Sequence, residues 1–401
     1  MNFFNVTLPL ALVNFINQAS RSLMALLGPL LALEFSLSAA DLGLLGAILF
    51  VAYGLMQLPV GVALDLYGPR RVQCASAALA CLGFALSAVA DGPFMLGAGR
   101  FLTGLGIASG LIGLIKGHTL WFPRERVAAL TGAGVFVGGI GGLVATVPMQ
   151  MVLPAIGWRG AFWVLAAAAA LAAAFIWLVV PPSPRRNSQK PVWAEIREFG
   201  PIFTAPVFIR MAPAIATLNA LNFTYQGLWL GPWLRDVAGL GDATRAITLL
   251  FYALGVMFGN LVAGTITSRL QARGRSPMIV PVTAMCAMLG MQVLLLVVAP
   301  TGPVLVTLMW LAFALTGSTS SAAYSSLAQA YPAHLAGRVS TAINGSMLAL
   351  VFVFQSMIGA MLDLWPQDAS GGWNAAGYAW AMGATIVFQA ATILWMWRRR
   401  A

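Results

Sequence analysis

Gly61-Val62-Ala63-Leu64-Asp65-Leu66-Tyr67-Gly68-Pro69-Arg70-Arg71 stands between two long apolar runs. The stretch joins a glycine at a helix end, an acid, a tight turn and paired arginines. A decayed copy returns half a chain later, where Gly264 takes the place of Gly61 and Arg273 that of Arg70 at the same offset. A second repeat follows the fourth apolar run of each half. Phe122-Pro123 precedes Arg126-Val127, and Tyr331-Pro332 precedes Arg338-Val339. Internal duplication among apolar spans is the mark of secondary transporters, in which two bundles rock about a site near the membrane midplane.

The chain is 60% hydrophobic and 8% charged over 401 residues. A soluble domain of that size cannot hide so much apolar surface, so the bilayer has to solvate the outside. A spanning helix needs ~20 apolar residues. Such runs are read at 5–33, 40–66, 71–90, 94–119, 127–153, 158–181, 205–234, 243–269, 277–299, 303–329, 338–364 and 373–397. The first is too long for a signal-peptide core and lacks a small-residue cleavage pattern, so it counts as a span. The ~10-residue alternating segments of a transmembrane β-barrel are absent. The fold class is therefore an all-α membrane protein, with twelve transmembrane helices in two pseudo-symmetric six-helix bundles. The bundles are placed at residues 1–181 and 205–401. A polar linker at 182–204 separates them, and its stretch from Trp193 onward is read as a short surface helix.

The net charge of +11 could indicate nucleic acid, but its distribution does not. Arg70, Arg71, Arg124, Arg126, Arg185, Arg186, Lys190, Arg273, Arg275, Arg338 and the Arg398–Arg400 tail lie at alternate connections. The other connections hold mostly acids, with Arg159 and Arg235 as exceptions. Short basic loops stay cytoplasmic. Both termini and the linker are thus expected inside a bacterial-type cytoplasmic (inner) membrane. The three cysteines, Cys74, Cys81 and Cys286, lie in spans without a redox or zinc-ligand context and read as packing residues.

Over nearly its whole length the chain resembles the major facilitator superfamily. The family's signature after the second span is roughly Gly-x-x-x-Asp-Arg-x-Gly-Arg-Arg/Lys. Gly61, Asp65, Gly68, Arg70 and Arg71 match it, while Leu66 replaces the usual arginine and Pro69 departs from the pattern. Arg100-Phe-Leu-Thr-Gly104-Leu-Gly106 is similar to the family's Arg-x-x-x-Gly-x-Gly on the fourth span. Gly157-Trp158-Arg159-Gly160 and Trp121-Phe122-Pro123-Arg124 resemble the organic-anion and nitrate/nitrite branches. The resemblance implies that spans 1, 4, 7 and 10 line the cavity. It also implies that Asp65, Arg70 and Arg71 serve gating, with Asp65 capping a helix or pairing with a loop arginine.

Polar residues concentrate in those same spans. Asn14, Gln18 and Arg21, with Asn17 beside them, share one face of span 1. A charge as deep as Arg21 costs several kcal/mol unless it faces a wet cavity or a partner, and an arginine fork suits planar oxyanions. All eleven acids lie at span ends or in connections. Span 7 carries Asn219, Asn222, Tyr225 and Gln226, then Trp233, read as an interfacial anchor. Span 10 runs Thr316-Gly-Ser-Thr-Ser-Ser-Ala-Ala-Tyr324, whose small hydroxyls can satisfy their own backbone. Candidate substrate contacts are Arg21, Gln18, Asn17, Tyr53, Tyr225, Gln226, Tyr324 and Asn344. Arg100, roughly 10 Å from the span centre at 1.5 Å per residue, and Lys116 are read as basic steps along the path.

The sequence reading is a secondary active transporter for a small anion, an organic carboxylate first, moved by proton symport or anion exchange. Its partners are the anion, protons and membrane lipid; nucleic acid is not one, and a monomer is expected. One alternative is proton-coupled efflux of amphipathic compounds. It is disfavoured because no carboxylate sits mid-membrane and the glycine cluster Gly138-Gly139-Ile140-Gly141-Gly142 contains no Gly-Pro pair. A remote alternative is copper transport through methionines such as Met285, Met288, Met357 and Met361, since thioethers suit Cu(I). No catalytic residue, metal ligand set or cofactor is read. A Gly-Lys-Ser/Thr phosphate loop is absent, and His118 and His334 have no nucleophile or metal cluster around them.

Overall fold

The computed structural model describes residues 3–182, 199–332, 335–367 and 371–398. Most of the linker, with the surface helix expected from Trp193, and His334 lie outside the described residues. The helices are α1 (Leu8–Glu34), α2 (Ala39–Ala88), α3 (Pro93–Ile107), α4 (Gly110–Trp121), α5 (Arg124–Val144) and α6 (Val147–Val179). After the linker come α7 (Gly200–Thr204), α8 (Pro206–Thr224), α9 (Leu230–Asp236), α10 (Asp242–Ala272) and α11 (Ile279–Val298). The last four are α12 (Pro303–Gly317), α13 (Ser320–Ala328), α14 (Ala336–Leu362) and α15 (Ala375–Arg398). π-helical turns occupy Phe3–Thr7 and Tyr225–Trp229, and no strand occurs among the described residues.

Length converts helices into crossings. The 50 residues of α2 would reach about 75 Å at 1.5 Å per residue, more than twice the ~30 Å hydrocarbon core. The chain reverses at Gly68, whose φ of 76° belongs to glycine's territory. Gly157, with φ 64°, divides α6 in the same way between the end of the fifth span and the sixth. Nine stretches are long and apolar enough to cross a membrane among the described residues. Counting α2 as two leaves α1 and the α8–α9 run to complete the set of twelve. Polar residues such as Asn14, Asn17 and Arg21 lower the hydropathy of the first, and the π-helical turn Tyr225–Trp229 divides the second.

Contacts divide the helices into two compact units. One contains Met1–Leu37 and Leu45–Ala194; the other contains Ser38–Leu44 and Glu195–Ala401. In the first, α1 packs mainly on α5. In the second, α8 packs on α14 and α10 on α12. The first span thus meets the fifth in each unit, as the sequence duplication requires. The glycine cluster of α5 makes the approach possible. A Cβ on Gly141 would stand 2.1 Å from the Phe15 carbonyl oxygen, and one on Gly138 would stand 2.1 Å from Asn14 Nδ2. In the second unit, Gly255 and Gly259 of α10 make the corresponding room against α12. The start of α2, Ser38–Leu44, is held within the second unit by Asp363, which ends α14. Its two carboxylate oxygens accept the N–H groups of Ala39 at 2.8 Å and Ala40 at 2.9 Å.

Two spans expected to be continuous are broken. The fourth splits at Ala108–Ser109 between α3 and α4, and the tenth at Ser318–Thr319 between α12 and α13. An interrupted helix leaves backbone groups that lipid cannot satisfy. Here the breaks are internal. Gln73, fully buried, donates through Nε2 to the carbonyls of Ser109 and Gly110, both at 3.1 Å. At the other break Ser318 Oγ donates to Ala314 O at 2.6 Å.

Past the last apolar residue of α1, Glu34 accepts from Trp158 Nε1 at 2.5 Å and Arg159 Nη1 at 2.7 Å. Arg159 also donates to Ala90 O and stacks over the Trp158 ring. Hydrogen bonds from Arg159 and then Trp158 hold the Glu34 carboxyl below its ordinary range. A depressed carboxylate contributes stability above its unfolded pKa and loses it as pH falls through the folded one. Glu34→Gln is expected to lower the melting temperature in detergent at pH 7, with the gap from wild type closing below about pH 4. Gly141→Ala is expected to destabilise by about 1–3 kcal/mol through overpacking. Gly132→Ala, on the same helix with open space at its Cβ, serves as its neutral control in the same melting series.

Candidate functional site

In the first unit the site candidates converge on α1. Arg21 is 6% exposed, with its guanidinium carbon 4.8 Å from the Tyr53 ring centroid and 5.5 Å from that of Phe50. The ring faces attract the cation, and a guanidinium is a planar fork. Asn17 is buried on the same helix and Gln18 is half-buried. Arg21, Asn17, Gln18 and Tyr53 therefore belong to one neighbourhood of α1 and α2. Asn14, which shares the face, packs its amide against Gly138 of α5.

Other basic candidates in this unit are engaged elsewhere. Arg100 is 2% exposed and donates through Nε to Leu45 O at 2.8 Å, joining α3 to α2. Lys116 forms an ion pair with Asp65, so the acid's partner is a lysine on α4 in place of the expected loop arginine. Arg70 donates to the Trp177 carbonyl at 2.5 Å and lies 4.8 Å from its ring centroid. Arg71 is exposed and makes no ion pair among the described residues. Asp65–Lys116 is half-exposed, so its weight lies in geometry; solvated pairs contribute little to stability.

In the second unit the candidates gather around the π-helical turn Tyr225–Trp229, a local widening that inserts one residue into the helix. Tyr225 is buried with its ring 5.0 Å from Trp310 and 5.4 Å from Phe313. Gln226 is 6% exposed, and its Oε1 has no hydrogen-bond partner among the described residues. Tyr324 on α13 and Asn344 on α14 are half-buried. Trp233, read as an interfacial anchor, is 3% exposed and packs edge-on against Trp310 at 5.2 Å. The ring cluster around Trp310 takes it in, and Leu230–Leu234 around it are buried as well.

A polar set whose connections the sequence did not show lies next to this turn. Asn222 Nδ2 donates to Ser318 Oγ at 3.1 Å, at the break between α12 and α13. Tyr252 Oη donates to Asn222 Oδ1 at 2.5 Å and lies 3.1 Å from Asn222 O. Gly317 admits Asn222, since its Cβ would stand 3.1 Å from the asparagine side chain. Asn222 was visible as a polar residue in an apolar run. Tyr252 gave no signal, because a tyrosine at a helix position reads equally well as core. Gln73 carried the same kind of signal as Asn222, on a span outside the expected cavity set.

The Major Facilitator Superfamily model matches residues 10–356. The chain belongs to the Major Facilitator Superfamily. It is therefore a multi-pass membrane secondary transporter and not an enzyme. Its fold is similar to a crystal structure of a bacterial homolog of the human lysosomal transporter Spinster. The TM-score is 0.77 at 18% identity, covering 99% of this chain and 97% of that one. In sequence the transporter is 22% identical over 278 residues to a probable sulfoacetate transporter of Cupriavidus necator, spanning 66% of this chain and 64% of that protein. It is 28% identical over 324 residues to a gentisate transporter of Corynebacterium glutamicum, spanning 77% and 69%. The matched stretch spans 64% of the sulfoacetate relative's length, less than two thirds of it.

Asn222→Leu should cost about 1–3 kcal/mol, because it removes the side-chain acceptor of the buried Tyr252 hydroxyl, leaving it only the backbone carbonyl of residue 222, and removes the donor to Ser318 Oγ. Pairing it with Tyr252→Phe should recover part of that loss. A double-mutant cycle on thermal stability in detergent reads the coupling, and strict additivity would show that the two residues act independently.

Proposed function

We propose that this transporter moves a small organic anion, a carboxylate in the first instance, across the cytoplasmic membrane by proton symport or anion exchange. The observation that carries the reading is Arg21. It is a buried cation on the first span, braced by Phe50 and Tyr53, with the amides of Asn17 and Gln18 on the same helix. A planar anion is the ligand whose charge and shape complement such a fork. The acids of the chain all lie at helix ends or in connections, which is unlike the site of a cation carrier. The two relatives described above, with sulfoacetate and gentisate in their names, are in keeping with this class.

Arg21 neutralises the anion in this reading, while Asn17, Gln18 and Tyr53 orient it from the same unit. Tyr225, Gln226, Tyr324 and Asn344 are the candidate contacts within the second unit, where Gln226 Oε1, without a partner among the described residues, serves as an acceptor for a hydroxyl or a protonated group. Asp65–Lys116, Arg70, Arg71 and Arg100 belong to conformational control. The basic connections place both termini on the cytoplasmic side.

Uptake of labelled carboxylates into proteoliposomes tests the assignment. Arg21→Ala should lower uptake about tenfold to hundredfold, the worth of a charge-assisted hydrogen-bond pair. Arg21→Lys should retain the charge and lose the fork, giving intermediate uptake. Wild-type rates in Arg21→Ala, with the same melting temperature, would overturn the role of Arg21.

A further inference from the structure

Three lateral grooves lie within single units. One, between α1 and α6, is lined by apolar side chains alone. A second, between α8, α14 and α15, adds only neutral hydroxyls. The third differs. It is a cavity of about 470 Å³ within the first unit, between the two limbs of α2 on either side of Gly68. Met56, Val60 and Ala63 line one limb, Ala75 and Leu79 the other, and Tyr67 and Arg71 stand at its mouth.

Its dimensions follow from helix geometry. Met56 and Leu79 lie about 17 Å along their limbs from the Gly68 turn at 1.5 Å per residue. That is close to half of the ~30 Å hydrocarbon core. The groove therefore runs from the interface to the neighbourhood of the midplane, the depth of one leaflet. Its walls are apolar apart from the hydroxyl of Ser76, and its mouth carries one cation and one phenol. Arg70, the neighbouring cation, is committed to Trp177. Arg71 is exposed and has no ion pair among the described residues, and Tyr67 is 59% exposed.

We propose that this groove is a binding site for an anionic phospholipid. One acyl chain lies along Met56, Val60, Ala63, Ala75 and Leu79, and the headgroup phosphate is held by Arg71 with Tyr67 beside it. Charge complementarity selects the occupant. A zwitterionic lipid brings its own cation to the mouth, and a soluble anion leaves the apolar walls unused. The site is separate from the Arg21 neighbourhood, and its test does not depend on the transported substrate.

Native mass spectrometry of the detergent-purified protein, titrated with phosphatidylglycerol or phosphatidylcholine, reads occupancy directly. Wild type should bind phosphatidylglycerol in preference to phosphatidylcholine. Arg71→Ala should weaken that binding about fivefold, the effect of one basic residue near an anionic headgroup. Ala75→Phe, which fills an exposed part of the groove, should also weaken it, while Arg275→Ala should not. Inorganic phosphate at millimolar concentration should leave the lipid adduct in place. Equal binding of the two lipids, unchanged binding in both Arg71→Ala and Ala75→Phe, or displacement by phosphate would each overturn the proposal. Of these, displacement would reassign the mouth to a free anion.

Discussion

Backbone hydrogen bonding inside a lipid solvent is the constraint on which this molecule rests. Every N–H and C=O within the hydrocarbon region has to find a partner in the protein, so the described chain is helical almost throughout. Departures from helix occur at Gly68 and Gly157, where the chain turns, and at Ala108–Ser109 and Ser318–Thr319, within spans. At the two breaks within spans a buried side chain stands in for the lost ladder. Gln73 bonds the carbonyls of Ser109 and Gly110, while the Ser318 hydroxyl bonds the Ala314 carbonyl and is itself held by Asn222. The breaks fall in the fourth span of each half, so the duplication extends to the defects as well as the regular helices.

The same logic explains where glycine is used. Lipid gives helices little hydrophobic reason to associate, so close packing and hydrogen bonding have to do it. Gly138 and Gly141 bring α5 onto α1, Gly104 lies against the Leu49 carbonyl of α2, and Gly255 and Gly259 bring α10 onto α12. The glycine cluster of α5 is thus explained by packing, independent of what is transported. Once α1 is fixed by α5, the face carrying Asn17, Gln18 and Arg21 has its direction set. Site geometry in the first unit is a consequence of small residues on a neighbouring helix.

Polar residues in the spans sort into two groups by what they touch. Gln73, Arg100, Asn222 and Tyr252 meet backbone or one another and hold helices together. Arg21 also lies over aromatic faces, and Gln226 Oε1 has no hydrogen-bond partner among the described residues. Membrane depth alone does not separate these groups. Arg21 and Arg100 are both buried cations in spans of the expected cavity set, yet Arg100 is tied to the Leu45 carbonyl while Arg21 is stacked on Tyr53. Lys116 shows a third outcome, an ion pair with Asp65 at the end of its span.

Fold class, duplication and the positions of most spans were legible in the sequence because they follow from local quantities. Runs of apolar residues long enough to cross a bilayer, turns rich in glycine and proline, and alternate basic connections require no knowledge of distant contacts. The concentration of polar residues on the first and seventh spans was legible for the same reason. What those residues meet was decided only by tertiary structure. Asp65 pairs with Lys116 across 51 positions, Asn222 reaches Ser318 across 96, and Trp233 is drawn into a ring cluster instead of the interface. Pairings of that kind depend on how helices cross and which small residues let them approach. Those are properties of two segments at once, and neither segment carries them alone.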